Sequence, residues 1–116
     1  DKPAYASAAK VKAATELVRR AGYEVEGPIQ FDAAVEPSVA AQKFKGGQNP
    51  VAGKANVLVF PDLNAGNIGY KIAERLGGWS AVGPVMQGLK RPCNDLSRGC
   101  STQDVVDVAY VTALQG

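Results

Sequence analysis

The chain contains no histidine in its 116 residues. That removes the commonest general base and the commonest metal ligand, so Ser-His-Asp and Cys-His mechanisms and an ordinary zinc site are closed to these residues alone. Cysteine is scarce: Cys93 and Cys100 are too few for a disulfide scaffold, and their spacing fits neither a Cys-x-x-Cys redox pair nor a metal knuckle. They are expected to be small, reduced, partly buried side chains. No apolar run approaches the roughly 20 residues needed to span a bilayer. The opening Asp1-Lys2-Pro3-Ala4-Tyr5 lacks the basic start and apolar stretch of a signal peptide, so a cytoplasmic protein with no membrane partner is expected. Excess charge of one sign is missing too, with 13 basic against 11 acidic residues and a net charge of +2. The isoelectric point near 8.6 comes without clustered Lys and Arg, which argues against a nucleic-acid partner but leaves a weak attraction for small anions.

What is present is an ordinary globular composition, 46% hydrophobic and 21% charged, which excludes wholesale disorder and suits one domain. Apolar residues at Val11, Ala14, Leu17, Val18 and Ala21 recur at helical spacing and predict a helix from Tyr5 to Ala21, with Gly22 as its stop. A short strand is expected within Tyr23–Gln30, interrupted by Gly27-Pro28, and a helix start at Phe31-Asp32 with Asp32 as cap. Pro37 suits the first turn of a short helix reaching Phe44, and Lys45–Pro50 reads as a loop. The continuous apolar run Asn56–Phe60 predicts a strand buried on both faces, as in a parallel sheet. A helix follows from about Gly66 to Leu76, then a second buried strand over Ala81–Met86. The irregular stretch Gly88–Gly99 leads into a final helix from Ser101 to Leu114 with Val105, Val108, Ala109 and Thr112 on one face. This alternation implies an α/β fold: a mostly parallel sheet with helices on both faces, a three-layer α/β/α arrangement whose ligands sit past the carboxyl ends of strands.

Two loops follow predicted strands and carry the chemistry. Leu89 to Asp104 packs Lys90, Arg91 and Arg98 together with Asp95 and Asp104, both thiols and the hydroxyls of Ser97, Ser101 and Thr102. Backbone N–H groups at a helix start and an Arg fork are suited to phosphate or a developing oxyanion. Asp104 has two readings. Ser101-x-x-Asp104 has the spacing of a capping box; alternatively Asp104 is a base, although a helix N-terminus lowers a carboxylate pKa and a base for a thiol does better with a raised one. The segment Phe60–Lys71 has glycines that match neither a dinucleotide fingerprint nor a Walker loop. It reads as a turn and a helix packed on the sheet, or as a pocket wall.

Four blocks carry a resemblance: Gly27-Pro28-Ile29-Gln30-Phe31-Asp32-Ala33-Ala34, Val51 through Asn67, Gly83-Pro84-Val85-Met86-Gln87-Gly88-Leu89, and Asn94-Asp95-Leu96-Ser97-Arg98-Gly99-Cys100-Ser101. In order, and over nearly the whole chain, they resemble the phosphate acetyl/butyryltransferase family, the acetyl branch more than the butyryl. The resemblance implies that residues 1–116 are the C-terminal portion of a larger two-domain acyltransferase, with a hinge between domains near 83–89 and a homodimeric intact enzyme. It implies exchange of an acetyl group between coenzyme A and inorganic phosphate by direct attack in a ternary complex. Acetyl-CoA, CoA and phosphate are then the partners, coenzyme A being a substrate, with no metal and no bound cofactor. The family's Ser-Arg pair and the Asp six residues beyond that Arg fall here on Ser97, Arg98 and Asp104. By that similarity Asp104 takes the thiol proton, Arg98 holds phosphate or the acyl carbonyl, and Ser97 hydrogen-bonds developing charge. Asn94 joins Ser97 and Arg98 in binding substrate. Because further active-site arginines of the family lie outside the resembling portion, the chain alone is expected to be inactive. A non-catalytic acyl-CoA-binding regulatory module and a phosphate butyryltransferase are the alternatives.

Overall fold

The structure is a computed structural model that describes residues 5–44 and 49–116. Five helices make up its regular structure: α1 (Ala6–Arg20), α2 (Phe31–Val35), α3 (Pro37–Lys43), α4 (Leu63–Gly77) and α5 (Thr102–Leu114). The chain divides into two compact units, Asp1–Asn67 and Ile68–Gly116, with the division inside α4. The segment 83–89, expected as a hinge, belongs wholly to the second unit. The opening residues Asp1–Ala4 and most of the loop expected over Lys45–Pro50 lie outside the described residues.

The expected three-layer α/β/α fold with its mostly parallel sheet is corrected: no strand occurs among the described residues. The stretch within Tyr23–Gln30 and the runs Asn56–Phe60 and Ala81–Met86 are irregular. In the run Asn56–Phe60, predicted as buried on both faces, Val57 is 75% and Val59 90% exposed. The physical reason is that a strand exists only as part of a ladder. Its N–H and C=O groups need a neighbouring strand, and its propensity reflects packing on that neighbour more than any backbone preference. Among the described residues no backbone hydrogen bond ties 56–60 to a second strand.

Helices α1, α3 and α5 follow their local signals, whereas α2 starts after Gln30 and Asp32, expected as its cap, lies within its first turn. Helix α1 ends in a Schellman motif: Gly22, at φ +91°, donates to the Arg19 carbonyl at 3.0 Å and Tyr23 to that of Val18 at 3.4 Å. Only a residue tolerant of the left-handed region fits there without strain, as the Gly22 stop implied. The side chain α1 buries is not part of the predicted apolar face but Thr15, whose hydroxyl donates to the Val11 carbonyl at 2.9 Å and so is satisfied. Leu17 and Val18 remain 66% and 41% exposed. Between α1 and residues 56–60 the first unit holds an open apolar cleft of about 1040 Å3, lined by Val11, Val18, Tyr23, Val57, Leu58 and Phe60 among others.

Helices α2 and α3 form the core of the first unit, burying Ala33, Ala34 and Ala40. Pro37 occupies the first turn of α3, where its missing N–H costs nothing, and the Glu36 carboxylate accepts from Ser38 N–H at 3.3 Å. The 51–55 turn closes over this pair through Gly53 N–H to the Ala33 carbonyl and Ala55 N–H to that of Ala34, both 2.9 Å. In the second unit the buried apolar residue is Val108 on α5. Thr112 from the same predicted face is half-buried, whereas Val105 and Ala109 are exposed.

Candidate active site

The second unit holds a pocket of about 120 Å3. Its walls come from α4 (Tyr70, Lys71, Glu74, Arg75), from Ala81 and Gly83, from the turn before α5 (Ser97, Gly99, Cys100) and from Asp104 in the first turn of α5. Two of the sequence-derived site residues, Ser97 and Asp104, therefore share one cavity. Arg98 is exposed and does not line it, and Asn94 lies outside it.

Asp104 reaches the pocket because Ser101 starts α5. Ser101 has extended backbone, at φ −84° and ψ 169°, and both arms of the capping box form. Asp104 N–H donates to Ser101 Oγ at 3.2 Å, and Ser101 N–H donates to Asp104 Oδ2 at 2.6 Å. That backbone donor is the main reason the Asp104 pKa lies below the usual carboxylate value near 3.8; the Ser101 hydroxyl and the positive charge of Arg75 add to it. Asp104 thus sits in the pocket as a carboxylate, with one oxygen in the cap. The Ser97 hydroxyl is placed by a tight turn in which Cys100 N–H donates to the Ser97 carbonyl at 3.0 Å and Gly99 N–H to Ser97 Oγ at 3.4 Å.

Asn94 does something else. Its Oδ1 accepts from Met86 N–H at 2.7 Å, and its Nδ2 donates to Thr112 Oγ1 at 2.8 Å and Gln115 Oε1 at 2.7 Å. The Gln115 amide in turn donates to the Met86 carbonyl at 3.2 Å. The Asn94 side chain is occupied as a strut between residue 86 and the end of α5.

Lys71 and Arg75 are the site residues that sequence reasoning missed. One helical turn apart, they put two cations on the α4 face that lines the pocket. Their i, i+4 spacing was visible within the helix expected from about Gly66 to Leu76, but the stretch weighed as a pocket wall ended at Lys71. Arg75 Nε lies 3.5 Å from Glu74 Oε2, and Lys71 Nζ sits 5.5 Å from the Tyr70 ring centroid. Cys93 and Cys100 are both free thiols, the first exposed and the second partly buried.

A carboxylate, a hydroxyl and two cations around one small cavity suit transfer of a group to or from an anionic oxygen. The family model described as phosphate acetyl/butaryl transferase matches residues 1–113. The chain belongs to this family. It is similar to the phosphate acetyltransferase of Staphylococcus epidermidis, 62% identical over 91 residues that make up 78% of this chain and 27% of that relative. With the phosphate acetyltransferase of Paracoccus denitrificans it shares 50% identity over 111 residues, 94% of this chain and 34% of the relative. With that of Staphylococcus aureus strain MRSA252 it shares 53% over 112 residues, 91% and 34% respectively. The chain thus spans about a third or less of the length of these curated relatives.

Proposed function

We propose that this chain carries part of the active site of a phosphate acetyltransferase, which exchanges an acetyl group between coenzyme A and inorganic phosphate. The observation that carries the reading is the meeting of Ser97 and Asp104 in one pocket beside Lys71 and Arg75, in a chain whose relatives at 50–62% identity are named phosphate acetyltransferases. In the forward direction the CoA sulfur attacks the carbonyl carbon of acetyl phosphate. The C–S bond forms, the bond to the phosphate oxygen breaks, and phosphate leaves with the electron pair. Asp104 accepts the thiol proton, and the Ser97 hydroxyl donates to the oxygen on which charge develops.

The cap on Asp104 sets the timing of the proton. A thiol titrates near 8.5, and the cap holds this carboxylate below its ordinary value, so complete transfer before attack is uphill. Proton removal is therefore concerted with C–S bond formation, as the thiol acidifies on approaching the carbonyl. In this reading coenzyme A is a substrate and no metal or bound cofactor takes part. The working protein is a cytoplasmic homodimer, an assignment supported by resemblance to the family; among the described residues no helix is long and apolar enough to cross a membrane. Arg98, exposed on the turn beside Ser97, is assigned to the acyl carbonyl.

The test uses the Paracoccus denitrificans relative with this chain in place of its matching segment. Acetyl-CoA formation from acetyl phosphate and CoA is expected in that chimera, with Asp104→Asn lowering kcat about 100-fold or more. CoA binding without turnover in the unsubstituted chimera, where the Paracoccus parent is active, would instead support an acyl-CoA-binding regulatory module. The 116-residue chain alone is expected to give no turnover.

A further inference from the structure

We propose that Arg75, seconded by Lys71 one turn earlier, holds the phosphate oxygens during the transfer. The inference rests on the acetyltransferase reading and names the residue that binds its inorganic substrate. Cavity size supports it first. At about 120 Å3 the pocket falls well below the roughly 300 Å3 from which pockets for drug-sized organic ligands begin, yet is many times what one water needs. It suits a small tetrahedral anion rather than the whole of coenzyme A. Position supports it next. Of the arginines of the second unit, Arg75 lines this pocket with Asp104 and Ser97, while Arg91 and Arg98 do not.

The guanidinium also has the required donors. Its Nε lies 3.5 Å from Glu74 Oε2, and the planar guanidinium carries further N–H donors of the geometry that phosphate oxygens accept. Charge decides the rest. Glu74 and Asp104 already bring two carboxylates to the lining, and a phosphate dianion would be repelled by both. Two cations on α4 offset that repulsion, and Arg75 is the one whose charge acts on Asp104. The same side chain therefore lets base and phosphate occupy one cavity. The Tyr70 ring lies beside Lys71, which serves as a secondary charge rather than a fork.

The experiment is steady-state kinetics on the same chimera, varying inorganic phosphate at saturating acetyl-CoA and then the reverse, for Arg75→Gln, Arg75→Lys and Lys71→Gln. Arg75→Gln is expected to raise KM for phosphate by about tenfold or more, with KM for acetyl-CoA within about twofold of the parent chimera. Arg75→Lys, which keeps the charge and loses the fork, should fall between. A KM for phosphate unchanged in Arg75→Gln overturns the proposal, whether kcat falls, which would make Arg75 a partner of Asp104 alone, or KM for acetyl-CoA rises, which would make it a CoA contact. Since Arg75 is exposed, the variant is expected to fold; if circular dichroism shows that it does not, Lys71→Gln and Arg75→Lys decide by the same KM split. Failure of the base reading is separate: Asp104→Asn that retains kcat removes the general base and leaves the phosphate KM result standing.

Discussion

Asp104 and Ser101 hold one another by two reciprocal hydrogen bonds, 2.6 Å from Ser101 N–H to Oδ2 and 3.2 Å from Asp104 N–H to Ser101 Oγ. One oxygen of the pocket's carboxylate is thereby committed to starting a helix. The same contact that fixes this carboxylate in space also lowers its proton affinity.

That coupling has a pH signature. The folded-state pKa of Asp104 lies below its ordinary value near 3.8. The group thus contributes stability above the unfolded value, and this contribution is lost as pH falls through the folded one. Asp32 follows the same sign through its hydrogen bond from Lys43. Far-UV circular dichroism between pH 5 and 2 is expected to show helix loss below about pH 3.8. Asp104→Asn, which keeps an acceptor and loses the charge, should remove the part due to α5 and leave that due to Asp32. An identical acid transition in the variant would show that the cap carries no charge-dependent stability. Ser101→Ala should cost about 1 kcal/mol at neutral pH, read as a fall in the urea midpoint.

Asn94 is expected to behave as a structural residue. Three hydrogen bonds from one side chain join Met86 N–H, Thr112 and Gln115. Asn94→Ala leaves the partly covered Thr112 hydroxyl and the Met86 amide to find water, at a cost of about 1–3 kcal/mol in urea unfolding. In the chimera, KM for phosphate should stay within about twofold of the parent, because Asn94 does not line the pocket. A variant of unchanged stability with raised KM would return Asn94 to substrate binding.

Gly53 and Gly22 both have positive φ, +79° and +91°, and separate backbone strain from crowding. A Cβ on Gly22 meets nothing within 4 Å, so Gly22→Ala should cost only the left-handed penalty of about 1–2 kcal/mol. A Cβ on Gly53 would sit 2.8 Å from Pro37 Cα and 3.0 Å from Ala40 Cβ, in the core formed by α2 and α3. Gly53→Ala adds an overpacking cost of about 1–3 kcal/mol. Thermal melts should therefore rank Gly53→Ala clearly below Gly22→Ala; equal losses would mean that the 51–55 turn yields without cost.

The helices were legible because their signals are local. Gly22, Pro37 and the Ser101–Asp104 pair each act within a few residues of themselves, and each does what its chemistry implied. The expected strands did not form, since Asn-Val-Leu-Val-Phe announces an apolar segment but not the ladder partner that would make it a strand. The lining of the pocket was legible where it is contiguous. Ser97 and Asp104 belong to one loop-to-helix stretch, whereas Lys71 and Arg75 join them only through the packing of α4, which no spacing in the sequence reports. The bracing role of Asn94 was not legible for a related reason: an amide in a polar loop looks the same whether it faces a ligand or braces a helix end.

The run 56–60 is exposed and apolar. Val57 and Val59 stand 75% and 90% exposed beside Leu58 and Phe60, on a backbone with no ladder partner among the described residues. A short, uncharged, β-prone and exposed segment is a template for pairing between chains. The isolated chain is therefore expected to self-associate with rising concentration in sedimentation velocity. Val59→Lys, placing a charge at the most exposed of these positions, should shift that onset to several-fold higher concentration while leaving the far-UV spectrum unchanged. A second substitution, Lys54→Val, separates this segment from general charge effects: it lowers net charge by the amount Val59→Lys raises it, but lies outside the run. If self-association follows net charge alone, the two variants should move the onset by similar amounts in opposite directions. If it follows strand pairing, Val59→Lys should act far more strongly.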